Sequence, residues 1–220
     1  MDILPPILGK ALIFPDPRFA PNEEPAAIGG DLSMPRLLEA YRQSYFPWYS
    51  EGEPILWWSL NPRYVLPIAD MHIGRTLRKL MRKNTFQFRY NRNFDTVIET
   101  CATIYREGED GTWILPEVIS AYKELNRAGH AVSLEVYQDG QLAGAAYGVL
   151  MGRVFCGESM FTRVPNAGKL ALVYGLQFLH SLGIDYMDCQ MESEHTTALG
   201  AREMDRNTLL THLKSERKML

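Results

Sequence analysis

Ten of the chain's 13 prolines fall within its first 62 residues, at Pro5, Pro6, Pro15, Pro17, Pro21, Pro25, Pro35, Pro47, Pro54 and Pro62. A proline inside a helix removes a hydrogen bond and drives its ring into the preceding turn, so this stretch cannot hold long helices. Two short elements fit it. Asp31-Leu32-Ser33 is an N-cap-like entry, with Pro35 in the first turn and an apolar stripe at Leu37, Leu38 and Tyr41. Residues 55–58 form a short apolar run suited to a strand. The same region is dense in aromatics (Tyr45, Phe46, Trp48, Tyr49, Trp57, Trp58), which reads as a small domain, residues 1–62, packed on a larger one, residues 63–220.

Past the boundary the charge is uneven. Residues 71–94 carry seven basic residues (Arg75, Arg78, Lys79, Arg82, Lys83, Arg89, Arg92) and no acid, while the rest of the chain has 16 basic against 26 acidic residues. Ile73, Leu77, Leu80 and Met81 share one helical face, and Arg75, Arg78, Lys79, Arg82 and Lys83 occupy the opposite one. A solvated amphipathic face is the plain reading. An acid-free run of this length favours an anionic partner, because interspersed acids would relieve the repulsion.

Helices are expected at 93–105 and 116–128, the second stopped by Gly129. A β-meander follows: an alternating strand at 131–138, an Asp139-Gly140 turn, a return strand at 141–150 and a third strand at 153–161. A helix at 169–182, a strand at 184–190, a short helix at 194–199 and a last helix at 206–218 complete the order. This is an α+β fold: a small Pro- and aromatic-rich N-terminal domain, then a domain with a central, mainly antiparallel sheet flanked by helices.

Composition closes several routes. At 46% hydrophobic and 22% charged residues the chain is globular rather than disordered. Its three cysteines, Cys101, Cys156 and Cys189, form no CxxC pair, which predicts neither a disulfide framework nor a zinc site and fits a reducing compartment. The longest charge-free apolar helical stretch, 170–184, is short of the about 20 residues a bilayer requires. The beginning lacks a basic, then apolar leader, and the expectation is a soluble, cytoplasmic protein. No phosphate-binding GxxxxGK[ST], no GxGxxG and no HExxH is present, so no nucleotide, dinucleotide or metal cofactor is expected. Cys156 with His130 would be a nucleophile and base only in name, since Cys156 lies on an alternating strand as a buried thiol. His195 falls in a polar loop.

Glu158 and Asp188 fall near strand ends, where a sheet can present them to one cleft, and Gln190 alternates in phase with Asp188. The alternative for both acids is solvation, or pairing with Arg163 or Arg153.

These residues belong to a larger pattern. Phe155-Cys156-Gly157-Glu158-Ser159-Met160-Phe161 and Asp188-Cys189-Gln190 follow Ile28-Gly29-Gly30-Asp31-Leu32, Phe46-Pro47-Trp48, Pro54-Ile55-Leu56-Trp57-Trp58-Ser59 and Gly111-Thr112-Trp113-Ile114. From about residue 14 to 213 this resembles the leucyl/phenylalanyl-tRNA–protein transferase family, whose larger domain is similar to the GNAT acyltransferase superfamily. The resemblance implies transfer of Leu or Phe, and by extension Met, from aminoacyl-tRNA to the α-amino group of proteins beginning with Lys or Arg. The product enters the N-degron degradation pathway. It implies no cofactor, no membrane and a monomer. It assigns Glu158, Gln190 and Asp188 to catalysis, with Glu158 at the amine, and Trp113, with Trp57 less firmly, to stacking on the tRNA 3′-adenosine. The cationic helix face serves the tRNA phosphates. Ala146, Leu172 and Leu176 are pocket candidates for the aminoacyl side chain. Two rivals stand beside this reading. A coenzyme A-dependent N-acetyltransferase would have to use the loop from Arg163 to Lys169, where Pro165 lacks a donor. A non-catalytic RNA-binding module would leave the grouping of Glu158, Asp188 and Gln190 without a purpose.

Overall fold

A computed structural model describes residues 5–104 and 112–215. The proline-rich region forms only short elements: β1 (Ile7–Leu8), β2 (Pro25–Gly29), α1 (Met34–Arg42), β3 (Phe46–Pro47) and β4 (Leu56–Trp58). Its four strands make one sheet in the order β1-β2-β4-β3. Pro35 occupies the first turn of α1, where the missing N–H has no helical partner to lose.

The remaining elements are β5 (Arg63–Pro67), α2 (Arg75–Lys83), β6 (Gln87–Tyr90), α3 (Phe94–Thr103), α4 (Pro116–Arg127), β7 (Ala131–Gln138), β8 (Gln141–Met151), β9 (Val154–Thr162), α5 (Ala167–Ser181), β10 (Tyr186–Gln190), α6 (Glu194–Thr197), β11 (Arg202–Met204) and α7 (Arg206–Leu213). Seven strands join in the order β11-β5-β10-β9-β8-β7-β6. Every pair is antiparallel except β9 and β10. The α+β expectation holds. Residue 105 of one expected helix and residues 216–218 of another lie outside the described residues.

The sheet is covered on both faces. Along β8, Ala145, Tyr147 and Val149 join the core shared with α3, α4 and the small sheet, while Ala143, Ala146 and Leu150 join the core under α5. Burial on both sides explains the nearly unbroken run of small and apolar residues in this strand. The Asp139-Gly140 turn has positive φ at both residues, 50° and 75°, as a two-residue hairpin loop demands. Besides β1, β2 and β3 of the small sheet, three strands of this one were invisible in the pattern. β6 lies inside the basic run, β5 follows directly on the aromatic segment, and β11 is three residues long. Among the described residues no helix is long and apolar enough to cross a membrane.

Candidate active site

The site forms where two parallel strands part. β9 and β10 pair from Val154↔Tyr186 to Cys156↔Asp188 and no further. Just beyond, each strand bulges against its antiparallel neighbour. β9 slips against β8 between the pairs Gly148↔Gly157 and Tyr147↔Ser159, leaving Glu158 as the extra residue. β10 slips against β5 between Asp188 and Gln190. A bulge re-aims a side chain that regular alternation would send to the other face. Gly148 permits the close approach at the first bulge, for a Cβ there would lie 2.1 Å from the Cys156 carbonyl oxygen.

Glu158 is half-buried and ringed by donors. Tyr41 from α1 gives its hydroxyl to Oε1 at 2.7 Å, Tyr122 from α4 reaches Oε2 at 3.3 Å, and Gln190 Nε2 lies 3.4 Å from Oε1. The two tyrosine hydroxyls also bond each other. Burial pushes the Glu158 carboxyl up to about 7 against the pull of the Tyr41 hydroxyl, with the Asp188 charge adding to the rise. The group therefore changes charge near neutrality, where a general base works best. In the sequence Tyr41 stands out only as part of the apolar stripe of its helix, and Tyr122 shares one side of the 116–128 helix with Val118, Ile119 and Leu125. Their hydroxyl ends carry the site role, and only the packing of α1 against β8 and of α4 against β7, which brings both hydroxyls to Glu158, reveals it.

Asp188 is 1% exposed and lines neither cavity at the site. Its partner is Arg63 of β5, with Nε at 2.9 Å from Oδ1 and Nη2 at 3.0 Å from Oδ2. This corrects two expectations. Asp188 is not presented to the cleft beside Glu158, because the guanidinium covers it. Nor does Gln190 stay in phase with it, because the bulge intervenes and Gln190 takes a left-handed φ of 59°. Arg153 pairs with Asp185, and Arg163 bonds Thr100 and lies over the Phe161 ring, so neither holds Glu158 or Asp188.

Two cavities meet at Glu158 and Gln190. One, of about 190 Å³, is lined by Ala146, Phe155, Met160, Leu172 and Met187, with Ser193, His195 and Thr196 on its polar side. The other, of about 80 Å³, is lined by Phe46, Pro47, Trp48, Trp113 and Met191. Ala146 and Leu172 thus line the apolar cavity as proposed from sequence. Leu176 does not: it is fully buried in the core under α5. Trp113 is half-buried at the second cavity. Trp57 is fully buried, donates Nε1–H to the Gly29 carbonyl at 2.8 Å and offers no free face, which corrects its assignment to base stacking. Trp48, 39% exposed and set against Trp58, is the aromatic at the mouth that sequence reasoning passed over. A larger, shallower cleft of about 630 Å³ lies apart, lined by Phe14, Asp16, Arg18, Gln43 and Lys214, with none of these groups in it.

The thiols nearby are inert. Burial drives Cys156 well above its ordinary value, and Cys189, in the apolar cavity, is pushed up to about 12 by the same cause. The five cations of α2 are exposed, and none pairs with an acid among the described residues. The loop a coenzyme A site would use is occupied. Arg163 and Val164 donate their N–H groups to the Ala143 carbonyl, Ala167 donates to Val164, and a Cβ on Gly144 would lie 2.5 Å from the Gly168 nitrogen. With Pro165 lacking a donor, little remains to cradle a pyrophosphate.

Two family models match the chain. Residues 65–214 match the one described as leucyl/phenylalanyl-tRNA protein transferase, and residues 30–61 match that family's N-terminal domain. Relatives bearing the name leucyl/phenylalanyl-tRNA–protein transferase match almost end to end. A protein of Pectobacterium carotovorum subsp. carotovorum is 49% identical over 93% of this chain and 87% of its own length. Those of Pseudoalteromonas atlantica and Flavobacterium johnsoniae are 47% and 46% identical, over 94% and 95% of this chain and 89% and 99% of theirs. On this evidence the chain belongs to the family of enzymes named leucyl/phenylalanyl-tRNA–protein transferases.

Proposed function

We propose that this enzyme moves Leu or Phe from aminoacyl-tRNA to the α-amino group of proteins whose first residue is Lys or Arg, and so marks them for N-degron proteolysis in the cytoplasm. The observation that carries the reading is the meeting of two cavities at one carboxylic acid. The apolar cavity walled by Ala146, Leu172 and Met160 suits an aliphatic or aromatic side chain, and the Trp113 cavity suits the terminal adenine. Base stacking on an aromatic face is worth about 1–3 kcal/mol. The ester joining the two would then lie at Glu158 and Gln190.

The chemistry asks little of the protein. The donor ester is already activated, and an α-amine with an ordinary pKa of about 7.7–8.0 is partly neutral at pH 7. The amine nitrogen attacks the ester carbonyl, a new amide bond forms, and the bond to the ribose oxygen breaks. Glu158 takes the amine's proton, and the departing oxygen ends protonated. Gln190 orients the reacting groups without adding charge. Holding both reactants in register supplies about 7–11 kcal/mol. The exposed cations of α2 track tRNA phosphates, and charge reversal at Arg78 and Lys79 flattens the dependence of binding on salt by about 0.7–0.9 for each phosphate no longer neutralised.

The test mixes radiolabelled Leu-tRNA or Phe-tRNA with a Lys- or Arg-initiated test protein and an Ala-initiated twin, without ATP. Label entering the Lys- or Arg-initiated protein alone is the expected result. No label in any protein overturns the transfer reading, and equal labelling of the twin overturns the acceptor rule.

A further inference from the structure

The Arg63–Asp188 pair is left over by the chemistry just described. Both side chains are almost wholly buried, at 2% exposure each, and neither reaches a cavity of the site. A buried ion pair is weak evidence for stability, because desolvation offsets most of the attraction and apolar replacement is often neutral or better. What this pair holds is specific. Asp188 Oδ1 accepts from Arg63 Nε and, at 2.9 Å, from the backbone N–H of Gln190. That bond closes over the bulge and fixes Gln190 in the left-handed region, at φ 59°, which a residue with a Cβ enters reluctantly. The same guanidinium gives Nη2–H to the Ser44 carbonyl at 3.1 Å, and Ser44 is also left-handed, at φ 65°. It further lies 4.7 Å from the Phe46 ring centroid, and Phe46 lines the Trp113 cavity. One buried cation therefore sets both walls of the site, Gln190 through Asp188 and the β3 wall directly.

We infer that Arg63 is a positioning residue for the transfer reaction: through Asp188 it holds Gln190 in its left-handed turn at Glu158, and through Ser44 and Phe46 it holds the facing wall. The inference rests on the transfer reading proposed above. It gives Asp188 a positional part rather than a place in a proton path. Misplacing a reacting group by about 1 Å can cost about a hundredfold in rate, so the loss belongs in kcat. KM for both substrates moves little, because Arg63 touches neither.

The experiment measures kcat and KM for label transfer by the full chain and by Arg63→Met, Arg63→Lys, Asp188→Asn and the double variant Arg63→Met/Asp188→Asn, each checked for folding by circular dichroism. Wild-type transfer is the control: its absence sinks the transfer reading itself. With wild type active, the expected result is a kcat loss of about a hundredfold in Arg63→Met, with both KM values within about twofold. Arg63→Lys recovers part of the loss, and the double variant is no slower than the slower single one, since both act through one bond. Folded Arg63→Met with wild-type kcat overturns the inference, as do losses that multiply in the double variant. Should Arg63→Met fail to fold, the neutral double variant decides. Near-wild-type kcat there overturns the inference, and a kcat loss matching Asp188→Asn upholds it.

Discussion

In the seven-stranded sheet, β7, β8 and β9 run for eight, eleven and nine residues and satisfy most of their backbone groups in their own ladders. The strands of the small sheet are two to five residues long, and much of the chain between them has no ladder at all. Its carbonyls are met instead by arginines. Arg36, fully buried, reaches Gly9 and Ala11. Arg206, sent from α7 at the far end of the chain, reaches Ala20, Pro21 and Ser59. Arg63 reaches Ser44. The difference shows how a segment too rich in proline to hydrogen-bond with itself still acquires one conformation. Guanidinium groups with several donors stand in for the missing strands. The cost is dependence on elements elsewhere, so the small region should fail first when a clamp is lost.

Arg206→Met tests that dependence most severely. It strands three carbonyls, each worth about 1–3 kcal/mol when buried and unpaired, for a loss of about 4 kcal/mol. Hydrogen exchange should rise across residues 20–59 well before β7–β9. Equal rises in both regions would break the contrast. Gly148→Ala is the reciprocal change. Its new methyl meets the Cys156 carbonyl oxygen at 2.1 Å, and overpacking of this kind costs about 1–3 kcal/mol. A urea titration should show the loss spread over the whole sheet, with transfer impaired because Glu158 sits on the same bulge.

The third prediction concerns the acid that the larger sheet holds half-buried on its central strand. Glu158 is raised from an ordinary 4.5 to about 7, so the folded chain holds this proton more tightly than the unfolded one. The wild type therefore loses stability as pH climbs from about 4.5 to about 7, and the deficit stays constant above that. Glu158→Gln stays neutral throughout. Melting curves should show its advantage growing across that window, and a gap independent of pH would refute the buried-acid account. The smallest effect belongs to Asp31→Asn. Asp31 pairs with Arg36 but is itself half-exposed, so the loss is about 0.5 kcal/mol. Bonding to Ser33, then Arg36, holds the Asp31 carboxyl below its ordinary value, so the difference from wild type shrinks as acid protonates the carboxyl. A loss as large as that of Arg206→Met would mean that the charge of the clamp, rather than its donors, holds the segment.

Much of this molecule was written locally. The Asp139-Gly140 hairpin, the proline-led starts of α1 and α4 and the two-sided pattern of α2 follow from turn chemistry, φ restriction and helical period, all of which act over a few residues. Glu158 and Gln190 stood out in motifs short enough to read. Three things required the folded chain. Arg63 and Asp188 are 125 residues apart, and nothing in either neighbourhood names the other. Trp57 and Trp113 offer the same indole, and only burial decides that one is core and the other lines a cavity. Gln190 departs from period-2 alternation because a bulge, set by the neighbouring strand, turns its backbone left-handed. Local sequence determines which elements form, since propensity and capping are short-range. Which side chains become a site depends on desolvation and on packing between distant segments, and those exist only once the elements have come together.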